Sequence, residues 1–315
     1  MQVNVLITGR GTSGSWNIRG EQLGQMIGAT ARPRADSAQG HDAVVIVKRL
    51  HDNSILRSAR RHGIPVIWDV VDAWPQPKGD QWSREESLSW LRQSLRSIQP
   101  DAVIAPTQRM AHDIVSIVGS DTPVITLAHH AWAGKPINPV RPEVTTIGYE
   151  GGIKHLGPWA RVLVEQAEQR GWQFVINPPS LAELDIVIAL RREAGYAPRH
   201  WKSNVKLANA QASGTPIILG RESGYLETAS GGEFWADTPD ELSAGLDWFS
   251  DHAVRAEASR RMLGSEPKLQ DIADDYRQWL LRVCECTTPR RPRSLSPARQ
   301  LFGLAYSFLS DRLRR

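Results

Sequence analysis

The sequence contains little cysteine: Cys284 and Cys286 are the two cysteines among 315 residues, and one residue separates them. A zinc site would need a second such pair, and a disulfide-stapled secreted fold would need still more cysteines. Long apolar runs are also missing, because no stretch reaches the roughly 18 residues of a membrane span and residues 1–9 lack a basic leader pattern. These absences disfavour exported and integral membrane proteins, and we expect a cytoplasmic protein.

Several catalytic motifs are absent as well. The sequence has no Gly-x-Ser-x-Gly turn, no Walker sequence and no Asp-x-Asp at a predicted strand end. These patterns mark α/β-hydrolases, P-loop enzymes and aspartate-anchored metals. We therefore expect neither a bound metal nor a tightly bound cofactor.

Positive charge is concentrated in the tail. The chain has a net charge of +4, yet residues 287–315 carry seven arginines and one aspartate, so the remainder is slightly acidic. Within this tail, residues 299–315 can form a basic amphipathic helix. Such a helix can pack on its own protein, stay partly disordered, or contact nucleic acid or an anionic membrane surface. A non-catalytic binding protein that uses this tail is one alternative function.

Short β-branched runs alternate with helix-length amphipathic stretches, a pattern typical of βαβ units around a parallel sheet. The first half predicts strands at 3–8, 43–47, 66–69, 102–105 and 124–127, and helices at 16–27, 55–62, 84–98 and 108–118. The second half predicts strands at 145–149, 173–176, 186–189, 216–219 and 233–235, and helices at 158–170, 204–213, 239–249, 253–263 and 269–283.

The fold class that follows is α/β, with two Rossmann-like, doubly wound domains facing a central cleft. The proline-containing segment between the two patterns has no periodicity and suits a linker. The predicted ranges are 1–130 for the first domain, 131–144 for the linker, 145–286 for the second domain and 287–315 for the basic tail.

Three glycines near the start, Gly9, Gly11 and Gly14, match the Gly-x-Gly-x-x-Gly pattern between a strand and a helix. In dinucleotide-binding domains the backbone amides of this loop meet phosphate. The acid expected at the end of the second strand is missing, with Asp36 the nearest substitute. An NAD(P)-dependent oxidoreductase is the second alternative.

Ligands of open α/β sheets bind beyond the carboxyl ends of the strands. In the first domain these ends carry Asp72, our first candidate for a general base or sugar-orienting acid, together with Asp69 and His129. The two aspartates are explained equally well by a structural role in turns before the prolines. The histidine is explained equally well as an exposed residue of the linker. The predicted acceptor side of the cleft consists of Gly11, Ser13, Lys48, Arg49 and Trp74.

In the second domain a predicted helix begins near Asn204, with Lys202 and Lys206 around its first turn. Unpaired amides and lysines at a helix N-terminus favour an anion, and a diphosphate fits such a site. Arg191, Glu222 and Tyr225 follow neighbouring strands and should lie at the same edge.

The block 202–220, followed by residues 222–225 and 234–237, resembles the donor half of B-type glycosyltransferases, which have two Rossmann-like domains. The resemblance implies a nucleotide-diphosphate sugar on the second domain, an acceptor on the first, and sugar transfer between them. It also implies diphosphate contacts from Lys202, Ser203, Asn204 and Lys206, and close passage of the donor by Gly151 and Gly152.

One departure from this family concerns two helix positions. Many retaining members carry two glutamates eight residues apart, where this sequence has Trp201 and Asn209. Asn209 can hydrogen-bond a ribose hydroxyl but cannot supply a carboxylate charge. Retaining and inverting chemistry both stay open, as does the acceptor: a glycan, a small molecule or a modified DNA base.

Overall fold

The computed structural model describes residues 3–11, 13–72, 81–132, 134–192 and 195–286. Trp74 and the arginine-rich tail lie outside these residues. The strands are β1 Val5–Gly9, β2 Thr30–Ala31, β3 Ala43–Val47, β4 Val66–Asp69, β5 Ala102–Ala105, β6 Val124–Thr126, β7 Thr146–Tyr149, β8 Gln173–Ile176, β9 Ile186–Ala189, β10 Ile217–Leu219 and β11 Phe234–Trp235.

Helices connect these strands. They are α1 Gly14–Trp16, α2 Leu23–Ile27, α3 Ser54–His62, α4 Arg84–Ile98, α5 Gln108–Val118, α6 Trp159–Gln169, α7 Tyr196–Trp201, α8 Val205–Ser213, α9 Ser223–Leu226, α10 Pro239–Trp248, α11 His252–Met262 and α12 Leu269–Cys286. A π-helical turn, Asn17–Gln22, joins α1 to α2. Within the described ranges no helix combines the length and apolarity needed to cross a membrane.

The strands form two parallel sheets. The first has the order β2-β1-β3-β4-β5-β6, and the second has the order β11-β10-β9-β7-β8. In each sheet the chain first adds strands on one side and then continues on the other side. This change of direction lies between β1 and β3 in the first sheet and between β7 and β9 in the second. Ligands of doubly wound folds bind at such switch points. The predicted α/β class with two Rossmann-like domains is confirmed.

Apolar strands place the cores on both faces of each sheet. In β3 every residue is buried, as expected for a parallel sheet covered on both sides. Val44 packs into one core with Leu6 and Trp68, while Val45 packs into the opposite core with Ile7. Because both faces of these strands are buried in apolar cores, polar residues are found mainly in the loops that follow the strand ends.

Local signals set the ends of several helices. Ser83 and Glu86 form a capping box at the start of α4, which satisfies amides that have no partner inside the helix. The α8 helix ends at Gly214 with φ of 63°, a conformation that favours glycine. Gly214 thus fixes the carboxyl end of α8, while the sequence predicts the anion site at the amino end of this helix.

The last helix returns to the first sheet. Ile272, Tyr276 and Leu280 of α12 share a core with Ile7 and Val45 of the first sheet. Residues 269–286 therefore contribute to the core of the first domain, although the sequence assigns them to the second domain, 145–286. An amphipathic pattern shows that a helix has a buried face but not which sheet covers it.

Candidate functional site

An ion-pair network joins the two domains at their strand ends. Asp72, three residues after β4, lies 3.1 Å from Lys48 Nζ of the first domain and 3.2 Å from Lys202 Nζ, just before α8. Burial alone would raise the pKa of Asp72, but Lys202 and Lys48 outweigh burial and hold this pKa well below its usual range. Asp72 is ionised at neutral pH and, while both lysines hold it, is a weak base.

Backbone strain accompanies this network. Lys48 has φ of 61° and Val71 has φ of 71°, which is a genuine outlier for a β-branched residue such as valine. Strained residues of this kind concentrate at functional sites, because their surroundings must hold them in place. One outlier, Lys48, is itself a partner of Asp72, and the other, Val71, directly precedes Asp72. No sequence pattern indicates either conformation.

Asp69 and His129 lie deeper in the structure. Asp69 is 1% exposed, and its Oδ2 lies 3.6 Å from Nε of the buried Arg19. Burial raises the pKa of Asp69, partly offset by Arg19. Burial and Arg19 both lower the pKa of His129 well below its usual range, so this imidazole is neutral at pH 7. Asp69 thus forms part of the wall behind the network.

The N-terminus of α8 faces the linker. Asn204 accepts a hydrogen bond from the His129 backbone N–H at 2.8 Å and donates to the His129 carbonyl at 3.0 Å. Since its side chain is used in this way, Asn204 makes no side-chain cap on α8. Ser203 is buried beside it. Asn204 thus joins α8 to the end of the first domain, and its predicted contact with the donor diphosphate stays a prediction.

Lys206 lies on the first turn of α8. Its Nζ is 3.7 Å from the centroid of the Tyr149 ring, at the end of β7. Burial lowers the pKa of Lys206 to about 7, and Arg191 adds to this effect. A Cβ on Gly151, which has φ of +136°, would come within 3.4 Å of Lys206 Nζ. Glycine at this position leaves room beside the ammonium group, and Gly152 follows it.

Arg191 and Glu222 form an ion pair at the carboxyl edge of the second sheet. Arg191 Nε lies 2.9 Å from Glu222 Oε1, and both residues line a cavity of about 410 Å³. Tyr225 is 2% exposed and packs in the core, and burial raises its pKa well above the usual range. The structure therefore places Arg191 and Glu222 at the cavity and Tyr225 beneath it.

Asn209 lies next to Glu150, a strand-end carboxylate that is not among the site residues predicted from the sequence. Its amide donates to Glu150 Oε2 at 2.9 Å, and its carbonyl oxygen accepts from the Trp132 backbone N–H at 3.0 Å. Glu150 directly follows β7, so its position at a strand end was the available signal. Trp201 stands where many retaining family members have the first of the two glutamates. Its side chain is fully buried, and its indole N–H donates to Asp113 at 2.9 Å.

The glycine-rich loop packs against the protein itself. A Cβ on Gly11 would lie 2.2 Å from Pro33 Cβ, and one on Gly9 would lie 2.8 Å from the Val47 carbonyl oxygen. Ser13 caps α1 by accepting from the Trp16 N–H. Close packing against Pro33 and Val47 is therefore enough to explain glycine at positions 9 and 11, and no phosphate ligand is needed to explain it. Arg49 is half-buried next to Lys48.

Together these residues present three cations to one region. Lys202, Lys206 and Arg191 are close enough for the charges of Lys202 and Arg191 to lower the pKa of Lys206. Such a group can neutralise a diphosphate. Among the described residues no cluster of three or more His, Cys, Asp or Glu side chains is placed to hold a metal.

Comparison with known proteins adds the fold family. No family model and no curated protein matches this sequence. The solved structure of Anabaena HepE with UDP-glucose matches with a TM-score of 0.57 at 11% identity, over 89% of this chain and 99% of that one. Sucrose-phosphate synthase from Thermosynechococcus elongatus matches with a TM-score of 0.58 at 11% identity, over 90% and 100%. With its two Rossmann-like domains, the chain has the GT-B fold of glycosyltransferases.

Proposed function

We propose that this protein is a glycosyltransferase that moves a sugar from a nucleotide-diphosphate sugar to an acceptor held by the first domain. The observation that carries the proposal is the cation cluster at α8: Lys206 and Arg191 lie at the edge of the second sheet, and Lys202 bridges to Asp72. The structurally similar HepE was solved with UDP-glucose, which supports a nucleotide sugar as the donor.

In the proposed reaction the bond between the sugar C1 and the diphosphate oxygen breaks, and an acceptor oxygen bonds to C1. Negative charge then grows on the leaving diphosphate. Lys202, Lys206, Arg191 and the α8 N-terminus would offset this charge, which is electrostatic stabilisation where charge develops. No step of this scheme requires a metal.

The acceptor hydroxyl must also lose a proton. Asp72 is our first candidate to receive it, and His129 is the second. A bound diphosphate would compete with Asp72 for Lys202, and loss of that ion pair would raise the pKa of Asp72 and make it a better base. Replacing Asp72 by Asn should therefore preserve nucleotide binding and slow sugar transfer by 100-fold or more, on the order of the contribution of a general base.

Several narrower expectations remain proposals. They are the domain limits at 130 and 145, a cytoplasmic location, and a role for the basic tail at nucleic acid or an anionic membrane. A modified DNA base as acceptor would connect that tail with the transferase reaction, because the tail would then bind the acceptor.

The proposal is tested by thermal shift and calorimetry with UDP, GDP, TDP, ADP, CMP and NAD(H). A ligand that binds only the folded protein raises its melting temperature, and we expect one nucleoside diphosphate to do so.

Lys206→Ala should weaken that binding by roughly tenfold or more, the cost of one charge-assisted contact. The exposed Lys268→Ala variant is the matched control and should bind normally. Stabilisation by NAD(H) alone would overturn the proposal.

A further inference from the structure

The cavity of about 410 Å³ lies where β9, β10 and β11 end. Its volume is within the range of about 300–1,000 Å³ for small-molecule sites. Described residues from three strand-end loops line it, and α7 and α6 contribute Arg199 and Trp159. The cavity shares Arg191 with the cation cluster at α8, so it adjoins the proposed position of the diphosphate.

The walls of this cavity carry an excess of positive charge. Four arginines and two acids line it. Glu222 pairs with Arg191 at 2.9 Å, and Asp237 pairs with Arg221 at 2.9 Å. Arg192 and Arg199 are the other two arginines of the lining, and Arg199 also lies close enough to Asp237 to help lower the pKa of that carboxyl. An anionic group suits such a site, and guanidinium groups match the planar geometry of a carboxylate.

A hydrogen-bond acceptor lies in the same wall. Glu222 is 7% exposed, and no described residue donates a hydrogen bond to its Oε2. Buried carboxylate oxygens are nearly always hydrogen-bonded in folded proteins. A hydroxyl group on a bound molecule would provide the donor.

The cavity also has an apolar side made by Trp159, Leu190 and Ala236. The indole N–H of Trp159 donates to the Arg191 carbonyl at 2.9 Å, which fixes the orientation of the ring. A large, rigid aromatic surface with a satisfied polar end packs well against the C–H face of a ring. The cavity therefore combines recognition of a carboxylate, a hydroxyl and a ring face.

We propose that this cavity binds an acidic sugar unit, a uronic acid, with its carboxylate on the arginines and a hydroxyl on Glu222. The inference rests on the proposed glycosyltransferase function and names the class of its substrate. The acidic unit would enter as the donor sugar, since Arg191 belongs to both sites, or as part of the acceptor.

The test is calorimetry on the full chain with UDP, UDP-glucose, UDP-glucuronate, free glucuronate, free glucose and inorganic phosphate. We expect glucuronate to bind at least tenfold more tightly than glucose. Arg199→Ala and Arg192→Ala should abolish this preference, while Arg260→Ala, an exposed arginine on α11, should keep it. If UDP-glucuronate binds more tightly than UDP-glucose, the acidic unit is the donor sugar. If free glucuronate binds to protein saturated with UDP-glucose, whose sugar already fills the donor position, the acidic unit belongs to the acceptor.

Two results would overturn the inference: equal binding of glucuronate and glucose, or phosphate binding as tightly as glucuronate. If UDP still binds and Lys206→Ala weakens it, the proposed function stands without the acidic-sugar site. If no nucleotide of the panel binds while glucuronate does, the cavity assignment holds and the proposed donor site fails.

Discussion

At the residue scale, Lys206 combines three features that matter for anion binding. It is buried at the first turn of α8, it contacts the face of the Tyr149 ring, and it has two cations nearby. These surroundings lower its pKa to about 7, so this amine exchanges its proton near neutral pH. A diphosphate placed here would favour the ammonium form.

Nucleotide binding should therefore be coupled to proton uptake. Binding of an anion raises the pKa of Lys206 above about 7, so the protein gains a proton on binding at and above neutral pH, and affinity falls as pH rises through this range. The fall should approach about tenfold for each pH unit, the slope for one linked proton. The charges of Glu222 and Glu150 act in the opposite direction and raise the pKa of Lys206, but burial and the cations outweigh them.

Calorimetry in buffers of different ionisation enthalpy measures this proton directly. The ligand should be the sugar ester of the nucleotide that the panel selects, because its phosphates do not titrate near pH 7. Lys206→Arg keeps a permanent charge and should bind without proton uptake. A binding enthalpy independent of the buffer would contradict the prediction.

Single-residue predictions from the sequence had a clear limit. Strand-end position and helix-start lysines were enough to bring Asp72, Lys48 and Lys202 into one candidate site. The role of Asn204 could not be found in this way, because its partner His129 is 75 positions distant. A side chain that hydrogen-bonds to a distant part of the backbone leaves no recognisable pattern in the neighbouring sequence.

At the element scale, the apolar runs located most strands and helices, because buried parallel strands read as continuous apolar segments. They could not reveal β2, whose two residues, Thr30 and Ala31, are exposed. They also missed α7, a six-residue helix that contains Pro198. Short elements are fixed by tertiary contacts and have too few residues to show a period.

The junction between α8 and the linker permits an element-scale prediction. Asn204→Ala removes both hydrogen bonds to the His129 backbone, leaving a buried N–H and carbonyl without these partners. Each such loss costs about 1–3 kcal/mol, so the free energy of unfolding should fall by at least that much. Urea denaturation followed by circular dichroism measures the change.

Asn53→Ala is the matched control for this prediction. Asn53 precedes α3 as Asn204 precedes α8, and it makes no side-chain cap on that helix. Its substitution should change stability by a few tenths of a kcal/mol, as is usual at the surface. Equal destabilisation by the two variants would mean that the bonds between Asn204 and the linker contribute little.

At the scale of the whole molecule, the two domains are joined by more than the linker. The α12 helix returns to the first sheet, and Thr107 donates to the His200 carbonyl at 2.8 Å. Glu227, after α9, accepts from the backbone N–H of Gln108 at 2.8 Å. Together with the ion pair between Asp72 and Lys202, these contacts join the two domains where we propose that donor and acceptor meet.

Glu227 is the contact most suited to a test of this arrangement, because it caps a helix of the other domain. Glu227→Ala should cost about 0.5–2 kcal/mol, the value of a helix cap, and should shift the molecules towards a more open arrangement. Small-angle X-ray scattering should show a larger radius of gyration, and hydrogen exchange at the first amides of α5 should become faster. Glu168→Ala, at an exposed glutamate of α6, should change neither. Unchanged scattering and exchange in Glu227→Ala would show that the remaining interdomain contacts hold the arrangement without this cap.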